Sequence, residues 1–133
     1  AMSLSDLFCV ERHKPHFLEL VKSKLDITFS NEQEIMSLID VKKFNDVINF
    51  AKRINKLMII TRGNKGAVAI NGDKVTECSA KKDLIIKDLT GAGDLFASGF
   101  LHGYINRMNI EQCLEKGTEM SSKIIQIIGA RIN

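Results

Sequence analysis

The sequence has no tryptophan, one tyrosine and one proline, Pro15. With so few aromatics, and no basic stripe interleaved with them, it offers no surface for stacking on nucleic-acid bases. Charge of one sign is also lacking: the formal net charge is +3, and the basic residues are scattered. Weak attraction for anions follows, but not a nucleic-acid footprint. Cys9, Cys78 and Cys113 are the only cysteines, odd in number and far apart. With no CxxC pair and no His/Cys cluster, a zinc site is not indicated, and the thiols read as reduced ones of a cytoplasmic protein. Long apolar runs are missing too. Leu57-Met-Ile-Ile60 is far too short to cross a bilayer, and the start lacks the charged and apolar regions of a secretory signal. Ala1 ahead of Met2 reads as a residue left by an expression tag, with Met2 as the native start.

What is present is enough to build a core. Apolar residues make up 44% and charged residues 26% of 133 residues, the balance of one globular domain rather than a disordered chain. Met2-Ser-Leu-Ser5 could be the tail of a strand. Glu11 to Lys24 carries Phe17, Leu20 and Val21 at helical spacing, with Pro15 tolerable in a first turn. Leu25 to Phe29 alternates like a strand that feeds a turn at Ser30-Asn31. Ser30 and Gln33 fit a capping box, and Asp40 fits the cap of a helix over Val41 to Ile54. Leu57 to Thr61 reads as a buried strand, and Arg62 to Gly66 as a tight turn. Asn71-Gly72-Asp73 between Ala67–Ile70 and Lys74–Cys78 predicts a hairpin. A short strand is expected at Leu84–Ile86, a helix from about Gly91 to Arg107, and a last helix to about Ile128 opened by Asn109 and Gln112. This alternation predicts an α/β layered fold, with a mainly parallel sheet flanked by helices.

The segment richest in chemistry is Asp88-Leu-Thr-Gly-Ala-Gly-Asp-Leu-Phe-Ala-Ser-Gly-Phe100. Two glycines fall in what should be the first turn of a helix, where each costs up to about 1 kcal/mol against alanine. Such glycines let a ligand approach the backbone. The amides of Gly91, Ala92 and Gly93, aided by the helix dipole, would form an anion hole for a transferring phosphoryl group. Asp94 follows them, placed to accept a proton from an attacking hydroxyl. The residues alone leave a second reading open, in which Thr90 is an N-cap and the glycines only ease a turn. A dinucleotide-binding fingerprint fits poorly, because Phe96 stands where the third glycine belongs. A Walker A loop is excluded, since no Gly-Lys-Ser/Thr closes the run. His13, His16 and His102 do not form a metal or triad set by spacing, and Cys113 reads as core beside Leu114, Met120 and Ile124.

The stretch from Asp88 to Phe100 resembles the second signature of the PfkB, or ribokinase-like, family of carbohydrate and nucleoside kinases. The resemblance implies that Asp94 is the catalytic base and that Gly91, Ala92 and Gly93 hold the phosphoryl charge. Asn31-Glu-Gln-Glu34 resembles the family's N-x-x-E motif, which implies roles for Asn31 and Glu34 in a magnesium and phosphate network, largely through water and without direct metal ligation. Read without the family, Glu32 and Glu34 are ordinary first-turn acids favoured by the helix dipole. Thr61-Arg-Gly-Asn-Lys-Gly66 resembles the family's T-x-G-x-x-G turn, implying that Thr61, Arg62, Gly63 and Gly66 lie near the nucleotide. Ser5 to His13 and Ile128 to Arg131 are similar to an adenosine-kinase-like bacterial branch.

The resemblance covers nearly all of the chain but only the second half of a typical family member. Residues 1–133 are therefore expected to be the C-terminal, nucleotide-binding and catalytic-base part of a ribokinase-like domain, with the lid and most of the substrate pocket absent. ATP and magnesium are the implied cofactors. A sugar or nucleoside acceptor is expected only if the N-terminal half is supplied, and the lone chain is expected to bind nucleotide weakly without kinase activity, or to act as a structural module. An orphaned strand edge near Met2 to Val10 would favour self-association or docking to a separately encoded N-terminal half. No nucleic-acid or membrane partner is expected.

Overall fold

A computed structural model of the chain describes residues 2–3, 12–62, 65–79 and 92–125. The expected strand at Leu84–Ile86 and the loop around Lys81-Lys82 lie outside these residues. Strand β1 (Met2–Ser3) is followed by helix α1 (Lys14–Glu19), which continues as a π-helical turn over Leu20–Lys24. Then come β2 (Ile27–Asn31), α2 (Glu32–Leu38), α3 (Phe44–Ile54), β3 (Leu57–Thr61), β4 (Ala67–Asn71) and β5 (Lys74–Cys78). Helices α4 (Ala92–Ile105) and α5 (Ile110–Ile125) complete the described chain. The expected α/β fold is what is found: strands and helices alternate, and the strands form one sheet in the order β1-β2-β3-β4-β5.

The chain divides into two compact units, one made of residues 1–62 and 68–75 and the other of 63–67 and 76–133. In the first, β1, β2 and β3 run parallel, with Met2 opposite Thr28 and Ile27 through Asn31 opposite Leu57 through Thr61. Leu57, Met58, Ile59 and Ile60 are all buried, the unbroken apolar run of a strand covered on both faces. Met58, Ile60, Val68 and Ile70 from the strands pack with Val21, Ile35, Leu38, Val47, Phe50 and Ala51 from the helices. The link of 62–66 from β3 to β4 is too short for a parallel crossover, so β4 turns back, and Gly72-Asp73 closes the predicted hairpin to β5. Gly72 has φ +59°, which a glycine adopts without strain, and a Cβ there would stand 2.6 Å from Asn55 Oδ1.

Several boundaries differ from the sequence expectation for identifiable reasons. Pro15 does sit in the first turn of α1. The helix does not stay regular to Lys24, because the Leu25 amide reaches back five residues to the Leu20 carbonyl at 2.9 Å and widens the last turn. The strand begins at Ile27 rather than Leu25 and runs on to Asn31. Ser30 is thereby buried in the ladder opposite Ile60 and cannot cap; the box is made one residue later, by Asn31 and Glu34. Asp40 does not cap α3. It takes φ +55° after α2 and pairs with Lys14, while α3 starts at Phe44 behind Lys43, which makes no side-chain cap.

In the second unit, α4 and α5 pack side by side around Phe96, Phe100, Cys113 and Leu114, all buried. The predicted second capping box is present: the Gln112 amide donates to Asn109 Oδ1 at 2.8 Å, and the Asn109 amide to Gln112 Oε1 at 3.2 Å. Close approach of the helices requires glycine at the crossing. A Cβ at Gly99 would lie 2.8 Å from the Lys116 carbonyl oxygen, and one at Gly117 would lie 2.8 Å from that of Phe96. Alanine would gain up to about 1 kcal/mol of helix propensity at each site. A methyl pressed on backbone oxygen costs about 1–3 kcal/mol, so the clash wins. Gly99→Ala and Gly117→Ala are therefore each expected to lower unfolding stability by about 1–2 kcal/mol, read by urea titration; a gain in stability at either site would show that the helices can part freely.

Candidate functional site

Strand register brings two of the anticipated segments together. Asn31 ends β2, Thr61 ends β3, and the two are partners across the parallel pair. Their carboxyl ends are where open α/β sheets place ligands. Asn31 leaves the strand with φ −88° and ψ 170° and becomes the N-cap of α2. Its Oδ1 accepts from the Glu34 amide at 2.7 Å, and Glu34 Oε1 accepts from the Asn31 amide at 3.0 Å. This reciprocal box satisfies two amides that the helix itself cannot. Glu34 is only 6% exposed, so its carboxylate is held in the fold rather than waving in solvent. Glu32 and Glu34 both sit in the first turn, where the helix dipole favours negative charge.

Arg62, the residue after β3, meets Glu32, the residue after β2. Its Nε donates to Glu32 Oε2 at 3.3 Å and its Nη2 to Oε1 at 3.4 Å, a forked pair with side chains 20% and 27% exposed. The same guanidinium lies over the Phe44 ring, with its Cζ 3.7 Å from the centroid. A partly buried surface pair with bonds this long contributes on the order of 1 kcal/mol, and a cation over a partly exposed ring about 0.5–1 kcal/mol. The contact therefore adds little to stability, but it joins the end of β3 to the first residues of α2 and α3. Sequence reasoning took Glu32 only as a first-turn acid and paired neither it nor Phe44 with Arg62, because neither lies near Arg62 along the chain. Only the β2–β3 register reveals the pairing.

The remaining anticipated residues are placed as follows. Thr61 is half-buried at the end of β3. Gly66 has φ +94°, a conformation that costs a side-chain-bearing residue dearly, so glycine is required there. Ala92, Gly93 and Asp94 occupy the first turn of α4. Gly63, Gly91 and the stretch before them from Asp88 lie outside the described residues. Among the described residues no group of three or more His, Cys, Asp or Glu could hold a metal ion, and none of the described helices is long and apolar enough to cross a membrane. His13, His16 and His102 are exposed. Cys113 is fully buried in α5, and that burial pushes its thiol pKa up, partly offset by a backbone hydrogen bond.

A profile of the pfkB family carbohydrate kinases matches residues 6–133. The chain belongs to the pfkB family. Among pfkB relatives, it is 31% identical over 112 residues to the cytidine kinase of Thermococcus kodakarensis, covering 82% of this chain and 40% of that protein. The crystal structure of a probable sugar kinase from Rhizobium etli is 40% identical with a TM-score of 0.93. That of adenosine kinase from Sinorhizobium meliloti is 37% identical with a TM-score of 0.94. Both superpose on 98% of this chain and on 40% of their own. The chain thus spans 40% of the length of these pfkB relatives, and over that span the ribokinase-like fold expected from the sequence is the fold it has.

The capping box gives a test of the strand-end geometry. Asn31→Ala removes the acceptor for the Glu34 amide and should cost about 1 kcal/mol, whereas Asn31→Asp, which keeps the acceptor, should cost much less. Denaturant unfolding of the two variants against the parent measures this. Equal losses would mean that the cap contributes nothing.

Proposed function

We propose that residues 1–133 form the C-terminal, nucleotide-binding and catalytic-base part of an ATP-dependent sugar or nucleoside kinase. The pfkB family match over residues 6–133 carries this reading. It is supported by Ala92, Gly93 and Asp94 in the first turn of α4, and by Asn31 and Thr61 in register at the ends of parallel strands. In the complete enzyme, Asp94 takes the proton from a hydroxyl of the acceptor as its oxygen attacks the γ-phosphate of ATP, the bond from the γ-phosphorus to the bridging oxygen breaks, and ADP leaves. The amides of Gly91, Ala92 and Gly93 hold the negative charge that develops on the transferring group. Thr61, Arg62, Gly63 and Gly66 form the turn that borders the nucleotide.

Magnesium keeps most of its water and binds through one or two carboxylates together with substrate phosphates. A buried, backbone-anchored carboxylate such as Glu34 is a donor of that kind, and with Asn31 it would hold the ion through water. When bound, the ion neutralises phosphate charge during transfer. Similarity to a bacterial adenosine kinase favours a nucleoside acceptor, with adenosine first. By itself the chain would hold nucleotide weakly and turn over negligibly, because no second reactant is held in line.

The experiment is to replace Asp94 by Asn in the kinase that combines this chain with the rest of the family's fold. We expect kcat to fall by roughly 10²–10⁴-fold while Mg-ATP binding by calorimetry is retained. Undiminished turnover would remove Asp94 from the role of base. If Mg-ATP fails to bind even the parent protein, the nucleotide reading itself is lost and the structural-module alternative stands.

A further inference from the structure

We infer that Arg62 is a positioning residue that straps the start of α2 to the end of β3, and not a ligand of the nucleotide phosphates; this rests on the nucleotide reading above. An arginine in a phosphate-binding turn is ordinarily read as a cation for the anion. Here the guanidinium is already paired with a carboxylate. The Nε/Nη2 edge of the guanidinium faces the Glu32 carboxylate at 3.3 and 3.4 Å, and its flat face lies over the Phe44 ring, with Cζ 3.7 Å from the centroid. Glu32 opens α2, directly after Asn31. Phe44 opens α3. Arg62 follows Thr61, the register partner of Asn31. One side chain therefore ties together the two helix starts and the strand end that borders the turn. A planar, forked donor does this; a point charge on a flexible stem does not.

The two roles predict opposite signs for one substitution. If Arg62 were a phosphate ligand, Glu32 would compete with the phosphate, and Glu32→Gln would tighten Mg-ATP binding. If Arg62 is a strap, Glu32→Gln loosens it and weakens binding. Arg62→Lys separates the roles a second way, since lysine keeps the charge but loses the fork and the stacking face. We expect Glu32→Gln, Arg62→Lys and Arg62→Met each to weaken Mg-ATP binding by roughly tenfold, with the lysine variant no better than the methionine one. Thermal unfolding should stay near that of the parent. Tighter binding in Glu32→Gln, or near-parent affinity in Arg62→Lys, would overturn the inference.

Amide hydrogen exchange on the full chain gives a reading that does not depend on nucleotide. Arg62→Met should speed exchange of the Asn31 and Glu34 amides, which the first capping box holds, by roughly tenfold. The Gln112 amide of the second capping box should be unchanged. Unaltered exchange at Asn31 and Glu34 would also overturn the strap. A parent protein that binds no Mg-ATP, yet shows this exchange pattern, would keep the strap and discard the nucleotide reading.

Discussion

The pairing of β2 with β3 is the constraint on which the strand-end site depends. In a parallel pair, residues opposite one another present their side chains to the same side, and a slip of one position reverses every side chain. Met58 and Ile60 reach the helical core only in the register observed. That same register sets Asn31 against Thr61 at the strand ends and lets Glu32 and Arg62, one residue further on, meet. The burial of apolar side chains along β3 thus positions polar groups beyond its end. The core contributes the energy, and the polar contacts at the ends, each worth little, inherit the geometry.

Helix starts are the second recurring device. Both α2 and α5 open with Asn at the cap and Glu or Gln three residues later, and in both the side chain and backbone bond reciprocally. The box at Asn31 stands where a strand becomes a helix without a spacer. The orientation of Glu34 is therefore fixed by the sheet on one side and by the helix on the other. At the α4 start the device differs: Ala92 and Gly93 lead into Asp94 with little side chain, leaving first-turn amides that no intrahelical carbonyl can take. Further along α4, Gly99 meets α5 at a distance that only a missing Cβ permits.

Much of this was legible in the sequence because it is local. The hairpin at Gly72-Asp73, the Asn109–Gln112 cap, the buried strand Leu57–Thr61 and the helix after the Gly-Ala-Gly run depend on spacing within a few residues. The errors arose where two local patterns overlapped. Ser30–Gln33 and Asn31–Glu34 are equally good capping boxes on paper, and the choice fell to Asn31 because the ladder with β3 claims Ser30. Asp40 had the chemistry of a cap, but the chain after α2 needed a left-handed residue there, and the next helix starts only at Phe44.

By itself, the sequence determined the alternation of strands and helices, the apolar faces and the chemistry-bearing run that ends in Asp94, since periodicity and turn chemistry are properties of neighbouring residues. Only the tertiary structure decided that Arg62 would be held by Glu32 and Phe44, thirty and eighteen positions earlier. No local rule links residues so far apart. Glu32 meets Arg62 through the register of two parallel strands, and Phe44 reaches it from the start of α3, which packs on the same sheet.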